Sequence, residues 1–151
     1  MPTASYQTRR DEIETYFDRT AADAWATLTS DAPVSRIRRT VRRGRDAMRE
    51  TLLSWLPEDL SGSTLIDAGC GTGTLAIEAA QRGAKVVAVD LSPTLVNLAR
   101  ERLRDLEDDL DVTFLVGDMR DMDLGRFDYA VAMDSIIHYD VSDGVQTLDA
   151  I

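Results

Sequence analysis

The sequence predicts an α/β fold, an open parallel sheet of strand–helix–strand units entered through a helical N-terminal segment. Three observations predict it. From Ser63 onward, short apolar runs ending in or beside aspartate alternate with helix-length stretches, as in a parallel sheet whose crossovers are helices. A glycine-rich turn, Asp67-Ala68-Gly69-Cys70-Gly71-Thr72-Gly73, sits between the first such run and the first such helix. Before Ser63 the only period is helical. The chain therefore divides into a helical lid or arm, residues 1–60, and an α/β domain, residues 61–151.

In chain order, the first sixty residues read as two helices. Ile13, Tyr16, Phe17, Ala24, Trp25 and Leu28 recur at three- and four-residue steps, and Asp31-Ala32-Pro33 breaks the pattern. Ser35 is placed to cap a second helix with Ile37, Val41, Met48, Leu52 and Trp55 on one side, ending before Pro57. Gly44 lies in its middle, where glycine costs about 1 kcal/mol relative to alanine. Close approach of a cofactor or another backbone would account for it, and so would simple tolerance. Thr64 to Ile66 is a short strand ending in Asp67, followed by a helix from Thr74 to Arg82 that Gly83 stops. Lys85 to Asp90 is the second strand. Ser92-Pro93 is a cap with proline at the first helical position, opening a helix that runs to Leu106. Val112 to Val116 is the third strand, Phe127 to Met133 the fourth, and a last helix is expected from Ser142 to Ile151. Right-handed crossovers then give a Rossmann-like layout covered on both faces.

Composition narrows the function. With 44% hydrophobic and 29% charged residues the chain is an ordinary globular domain. No run approaches the roughly 18 apolar residues of a membrane span, and Met1 to Arg10 has no apolar signal core, so no integral membrane segment or leader is expected. One cysteine, Cys70, excludes an internal disulfide and fits a reducing, cytoplasmic setting. The net charge of −10 arises entirely after residue 60, because residues 1–60 carry ten acids and ten bases. An acidic second half disfavours nucleic acid, whose phosphates need clustered cations. Six arginines cluster between Arg36 and Arg45, either as the solvated face of a helix or as a surface facing anions such as carboxylates.

The glycine turn carries the chemistry. Glycines let a chain turn tightly and let a ligand approach the backbone, and the following helix N-terminus offers free N–H groups. A dinucleotide site would prefer G-x-G-x-x-G, but here the spacing is G-x-G-x-G, with Thr74 at the third position of that pattern. Asp67 just before the turn would also sit awkwardly beside a pyrophosphate. Asp90 ends the second strand, 21 residues after Gly69, where an acid meets a ribose diol in such folds. Asp118 closes the third strand with Met119 beside it. Any one of these acids alone would pass as a turn residue; three at successive strand ends share a ligand crevice. Cys70 reads as a small side chain in the loop rather than a nucleophile, since no group nearby in sequence stabilises a thiolate. The single histidine, His138, makes a poor metal site; it is a helix-end residue or a catalytic one.

Residues 63–140 resemble the Rossmann-like family of S-adenosylmethionine-dependent methyltransferases, to which D-A-G-C-G-T-G is a specific match. The resemblance implies that Asp67, Gly69, Gly71 and Gly73 line the methionine and ribose part of the cofactor and that Asp90 binds both ribose hydroxyls. It implies that Asp118 and Met119 hold the adenine and that Asp134 lies near the methionyl end. A narrower resemblance covers nearly the whole chain. Y-F-D-R-T-A-A-D-A-W, V-S-R-I-R-R-T-V-R-R-G-R-D-A-M-R and M-D-S-I-I-H-Y are similar to the magnesium-protoporphyrin IX O-methyltransferase family of chlorophyll and bacteriochlorophyll biosynthesis. It implies methyl transfer to a porphyrin propionate, catalytic assistance from Tyr16 and His138, and an N-terminal lid. Magnesium would arrive only within the porphyrin substrate, with no protein-bound metal. It also implies the large subunit of magnesium chelatase as a partner and a peripheral place at photosynthetic membranes. The family's Rossmann-like methyltransferase sheet has seven strands, of which this chain supplies the first four parallel ones. The C-terminal strands are missing, so Ile151 is expected to be a truncation point and full activity is not expected of these residues alone. Two other readings share the cofactor residues: an O-methyltransferase acting on a quinone phenol, and a non-catalytic cofactor- or porphyrin-binding protein.

Overall fold

The computed structural model describes residues 4–15, 26–31 and 33–133 of the chain. Tyr16, Trp25, Asp134, His138 and the helix expected from Ser142 lie outside the described residues.

Helix α1, Ala4–Thr15, begins ahead of the periodic run that predicts a helix from Ile13. Its sequence is mostly polar and Tyr6 is its deep anchor, with 0% of its surface exposed. Among its described side chains one is buried, which leaves no 3.6-residue signal to read. Helix α2, Arg36–Ser54, starts as expected at Ser35, whose side chain accepts the Arg38 N–H at 3.4 Å. Its last turn is held from outside, because Arg82 donates to the carbonyls of Leu53 at 2.7 Å and Pro57 at 3.3 Å. The face predicted as apolar exists, but of its five residues Leu52 alone packs against the core and the other four point away from it. Ile37 is 78% exposed and Trp55 74%, while neighbouring Leu53 enters the core instead. A Cβ at Gly44 would meet no protein atom within 4 Å, so no close approach of another backbone requires that glycine.

Strands β1 (Thr64–Ala68), β2 (Lys85–Asp90), β3 (Val112–Val116) and β4 (Tyr129–Val131) form one parallel sheet in the order β3-β2-β1-β4. β4 is shorter than its apolar run. The Asp128 carboxylate takes the Thr64 N–H at 2.8 Å, so the β1–β4 ladder opens only at Tyr129. Helix α3, Thr74–Gln81, joins β1 to β2, and α4, Pro93–Asp105, joins β2 to β3. The Ser92 hydroxyl oxygen accepts the Leu95 N–H at 3.2 Å and Pro93 fills the first turn, the predicted cap.

The core places both helices on one face. Leu65, Val86, Ala88, Phe114 and Val131 of the sheet pack with Leu75, Ala76, Ala79, Val96 and Ala99 of α3 and α4. The opposite face, Ala68, Val87, Val89 and Leu115, meets Met119, Met122 and Leu124 from the β3–β4 connection. Among the described residues, coverage of that face comes from a loop, where the sequence reading expected a second helical layer.

Candidate functional site

The order of strands reverses beside β1, since β2 and β3 lie to one side and β4 to the other. That is the switch point at which open α/β sheets hold ligands. A cleft of about 350 Å³ opens there, between the carboxyl ends of the strands below and residues 28–31 with α2 above.

Its floor is the glycine loop. Gly69, Gly71 and Gly73 have φ of 79°, 55° and 83°, the left-handed region that favours glycine. The Gly69 and Cys70 N–H groups donate to the Val89 carbonyl at 2.8 and 3.0 Å, folding the loop back onto β2. Asp90 then ties three elements together. One carboxylate oxygen accepts the Gly71 N–H at 2.9 Å and the other accepts the Ser92 N–H at 2.9 Å. The first bond fixes the loop and the second fixes the start of α4. A carboxylate has roughly four acceptor sites, so these bonds do not prevent it from receiving a diol as well.

Asp67, Gly69, Gly71, Asp90 and Met119 all line the cleft, as the sequence predicts. Gly73 is turned away from it and packs against Phe114 and Ala99. Gly117 and Met119 line the cleft, while the Asp118 side chain between them is 6% exposed and engaged with α1. Its carboxylate accepts the Tyr6 hydroxyl and, at 3.0 Å, the Arg120 N–H, and lies 3.7 Å from the Arg10 guanidinium. Met133, next to Asp134, also lines the cleft. Cys70 is at the floor with its thiol pushed well above its ordinary range, by burial first and then by the negative Asp67 and Asp90. It remains a neutral thiol at physiological pH, which fits the small-side-chain reading.

The roof is held by contacts that sequence spacing does not reveal. Arg102 in the last turn of α4 donates to the Ala26 carbonyl at 3.0 Å and the Thr29 hydroxyl at 3.0 Å. Arg42 of α2 donates to the carbonyls of Leu28 and Thr27, each at 2.8 Å. The Thr72 hydroxyl in the glycine loop donates to Thr29 at 2.9 Å, joining roof to floor. No local pattern signals these contacts, because the Arg102–Thr29 pair is 73 residues apart in sequence. Burial lowers the Arg102 pKa, opposed by Asp31, and a guanidinium stays charged in either case.

The arginine cluster of α2 divides between its two readings. Arg36, Arg38, Arg39 and Arg43 are exposed, whereas Arg42 and Arg45 line the cleft together with Arg49. Arg49 pairs with Asp46 at 3.1 Å and with Glu78 of α3 at 3.1 Å, pinning α2 over the loop. The wall therefore presents cations and carboxylates side by side. Among the described residues no group of three or more acidic, cysteine or histidine side chains is placed to hold a metal, and no helix is long and apolar enough to cross a membrane.

Comparisons with known proteins agree with this geometry. The chain is 55% identical over 144 residues to magnesium-protoporphyrin O-methyltransferase of Rhodobacter capsulatus, covering 95% of this chain and 63% of that protein. It is 39% identical over 83 residues to ubiquinone biosynthesis O-methyltransferase of Xanthomonas oryzae pv. oryzae, covering 53% of this chain and 34% of that one. The chain thus spans under two thirds of the length of these curated relatives. The crystal structure of magnesium protoporphyrin IX methyltransferase from Synechocystis PCC 6803 with bound S-adenosylmethionine superposes with a TM-score of 0.87 at 27% identity, covering 94% of this chain and 69% of that one. Its parallel sheet and helices are those of a Rossmann-like methyltransferase. Residues 65–151, more than half of the chain, match the methyltransferase domain family, and the chain belongs to that family.

Proposed function

We propose that this protein methylates a propionate carboxylate of magnesium protoporphyrin IX, with S-adenosylmethionine as donor, giving the monomethyl ester used in chlorophyll or bacteriochlorophyll synthesis. The observation that carries the substrate assignment is the extent of likeness. It reaches 95% of this chain for the Rhodobacter porphyrin enzyme and 53% for the quinone enzyme, although both share the cofactor motifs.

The cleft fits the donor. Left-handed glycines admit a ligand to the backbone, Asp90 is held at the end of β2, and the wall carries both signs of charge, as a sulfonium amino acid requires. On this reading Asp90 receives the ribose hydroxyls, Gly69 and Gly71 flank the ribose and methionyl part, and Met119 packs on adenine. Asp118 takes the adenine amino group, and Asp67 and Asp134 complete the methionyl end. Gly73 contributes by seating α3 rather than by contact. When bound, S-adenosylmethionine supplies a methyl group on positively charged sulfur.

A propionate has a pKa of about 4–5 and is ionised at neutral pH, so the chain needs no strong base. Its residues have to align the carboxylate and keep the site dry. His138 and Tyr16 act as orienting hydrogen-bond donors, Arg42 and Arg45 bring positive charge toward an anionic acceptor, and the N-terminal segment excludes water. The porphyrin brings its own magnesium. Association with the large subunit of magnesium chelatase and peripheral attachment to photosynthetic membranes belong to the same reading.

His138→Ala separates a carboxylate acceptor from a phenol. With a propionate, loss of positioning lowers the single-turnover rate by about 10²-fold, and raising the pH from about 7 to 10 returns none of it, because no further nucleophile forms. With a phenol, whose pKa is near 10, the variant recovers toward wild type as the acceptor ionises without help. Recovery with pH would overturn the porphyrin assignment.

A further inference from the structure

The buried contact between α1 and the end of β3 has no part in methyl transfer as argued so far. Tyr6 has no exposed surface, although α1 is mostly polar, and it sits 112 residues from the carboxylate that it reaches. Its hydroxyl donates to Asp118 Oδ2, and the Arg120 guanidinium lies over its ring, 3.9 Å from the centroid. The Arg120 main-chain N–H donates to the other oxygen of the same carboxylate, Oδ1. Arg10, one turn along α1, places its guanidinium 3.7 Å from Oδ2 and 3.5 Å from Asp121. The carboxylate is therefore gripped at both oxygens, on a residue whose two neighbours, Gly117 and Met119, line the cleft.

We propose that Tyr6 is a positioning residue for base recognition, holding Asp118 at the adenine end of the cleft so that the site selects a purine bearing an exocyclic amino group. The inference rests on the reading of Asp118 as the adenine contact. A carboxylate only accepts hydrogen bonds, so it favours an amino group and repels the carbonyl that replaces it in hypoxanthine. That selectivity depends on the carboxylate staying fixed, since a side chain free to rotate turns away from the wrong base at little cost. Residues 1–60 thereby contribute to donor selection as well as to covering the acceptor.

The experiment compares S-adenosylhomocysteine with S-inosylhomocysteine, its deaminated counterpart, by titration calorimetry on the protein and on Tyr6→Phe. Wild type is expected to favour the adenosyl compound by about tenfold or more, the scale of one charge-assisted hydrogen bond. Tyr6→Phe is expected to reduce that ratio to a few-fold. Weakening of both ligands by the same factor, with the ratio preserved, would mean that Tyr6 merely stabilises the fold and would overturn the proposal. A wild-type ratio near one would overturn it through the adenine reading of Asp118. Failure of wild type to bind the adenosyl compound at all would instead sink the methyltransferase reading of the cleft. Arg10→Gln, on a partly exposed side chain, supplies a second variant if Tyr6→Phe unfolds. It is expected to lower the ratio in the same direction by a smaller factor, and an unchanged ratio there counts against the proposal.

Discussion

At Gly73 the backbone has φ of 83°, and a Cβ added there would lie 2.8 Å from the Phe114 ring and 3.0 Å from Ala99. Asp90, in the same site, has the opposite character, because its bonds shape the cleft rather than the core. The two residues predict opposite outcomes in one paired experiment. Gly73→Ala combines a left-handed non-glycine residue with overpacking, about 2–4 kcal/mol together. In urea titrations it is expected to lose that stability, while the folded fraction still binds cofactor. Asp90→Ala is expected to lose at least about tenfold in affinity for S-adenosylhomocysteine, with a smaller stability cost. If Gly73→Ala lost binding at full stability, the third glycine would be a ligand contact after all. The spacing G-x-G-x-G made the loop legible, but it could not say which glycine faces the cleft. That is decided by Phe114, 41 positions away, and no local pattern reports it.

Elements were legible where local chemistry sets them. Ser35 and Ser92 cap α2 and α4 as read from the sequence, because a cap needs only its own side chain and an N–H three residues on. The orientation of α2 was not legible. Periodicity shows that Ile37, Val41, Met48, Leu52 and Trp55 share a face, but not how much of that face meets the core: Leu52 packs there and the other four are exposed. Arg102 was equally hidden. A basic residue in a last helical turn satisfies the helix dipole without further explanation, yet its guanidinium also clamps residues 26–29 over the glycine loop. Arg102→Ala is expected to release that roof while the sheet stays intact. Hydrogen exchange should quicken in residues 26–31 far more than in β1 or β2, and S-adenosylhomocysteine should bind more weakly. Uniform acceleration across the sheet would show that the clamp is simply part of the global core.

At the scale of the molecule, two consecutive crossovers that step the same way place α3 and α4 on one face, as crossovers of a single hand must. The next strand then steps back past them to the far side of β1. This arrangement creates the cleft, and it also makes β4 an edge, since among the described residues β4 pairs only with β1. Such an edge offers unpaired N–H and C=O groups to another copy. Opposing that tendency is the net charge of −10, which arises wholly in the part of the chain that holds the sheet. Repulsion between like-charged copies is long-ranged and weakens with salt, because the Debye length falls from about 30 Å at 0.01 M to about 3 Å at 1 M. Edge pairing rests on backbone hydrogen bonds at contact and does not weaken in the same way. The 151-residue chain should therefore be more monomeric at low ionic strength and self-associate as salt rises, the reverse of an assembly held by ion pairs. Ala130 is exposed in the middle of β4, so Ala130→Lys places a charge on the strand that natural edges use against pairing. Sedimentation velocity across that salt range is expected to show oligomers growing for wild type and a monomer throughout for Ala130→Lys. Association that instead dissolved with salt, or that the lysine left untouched, would locate the contact away from β4.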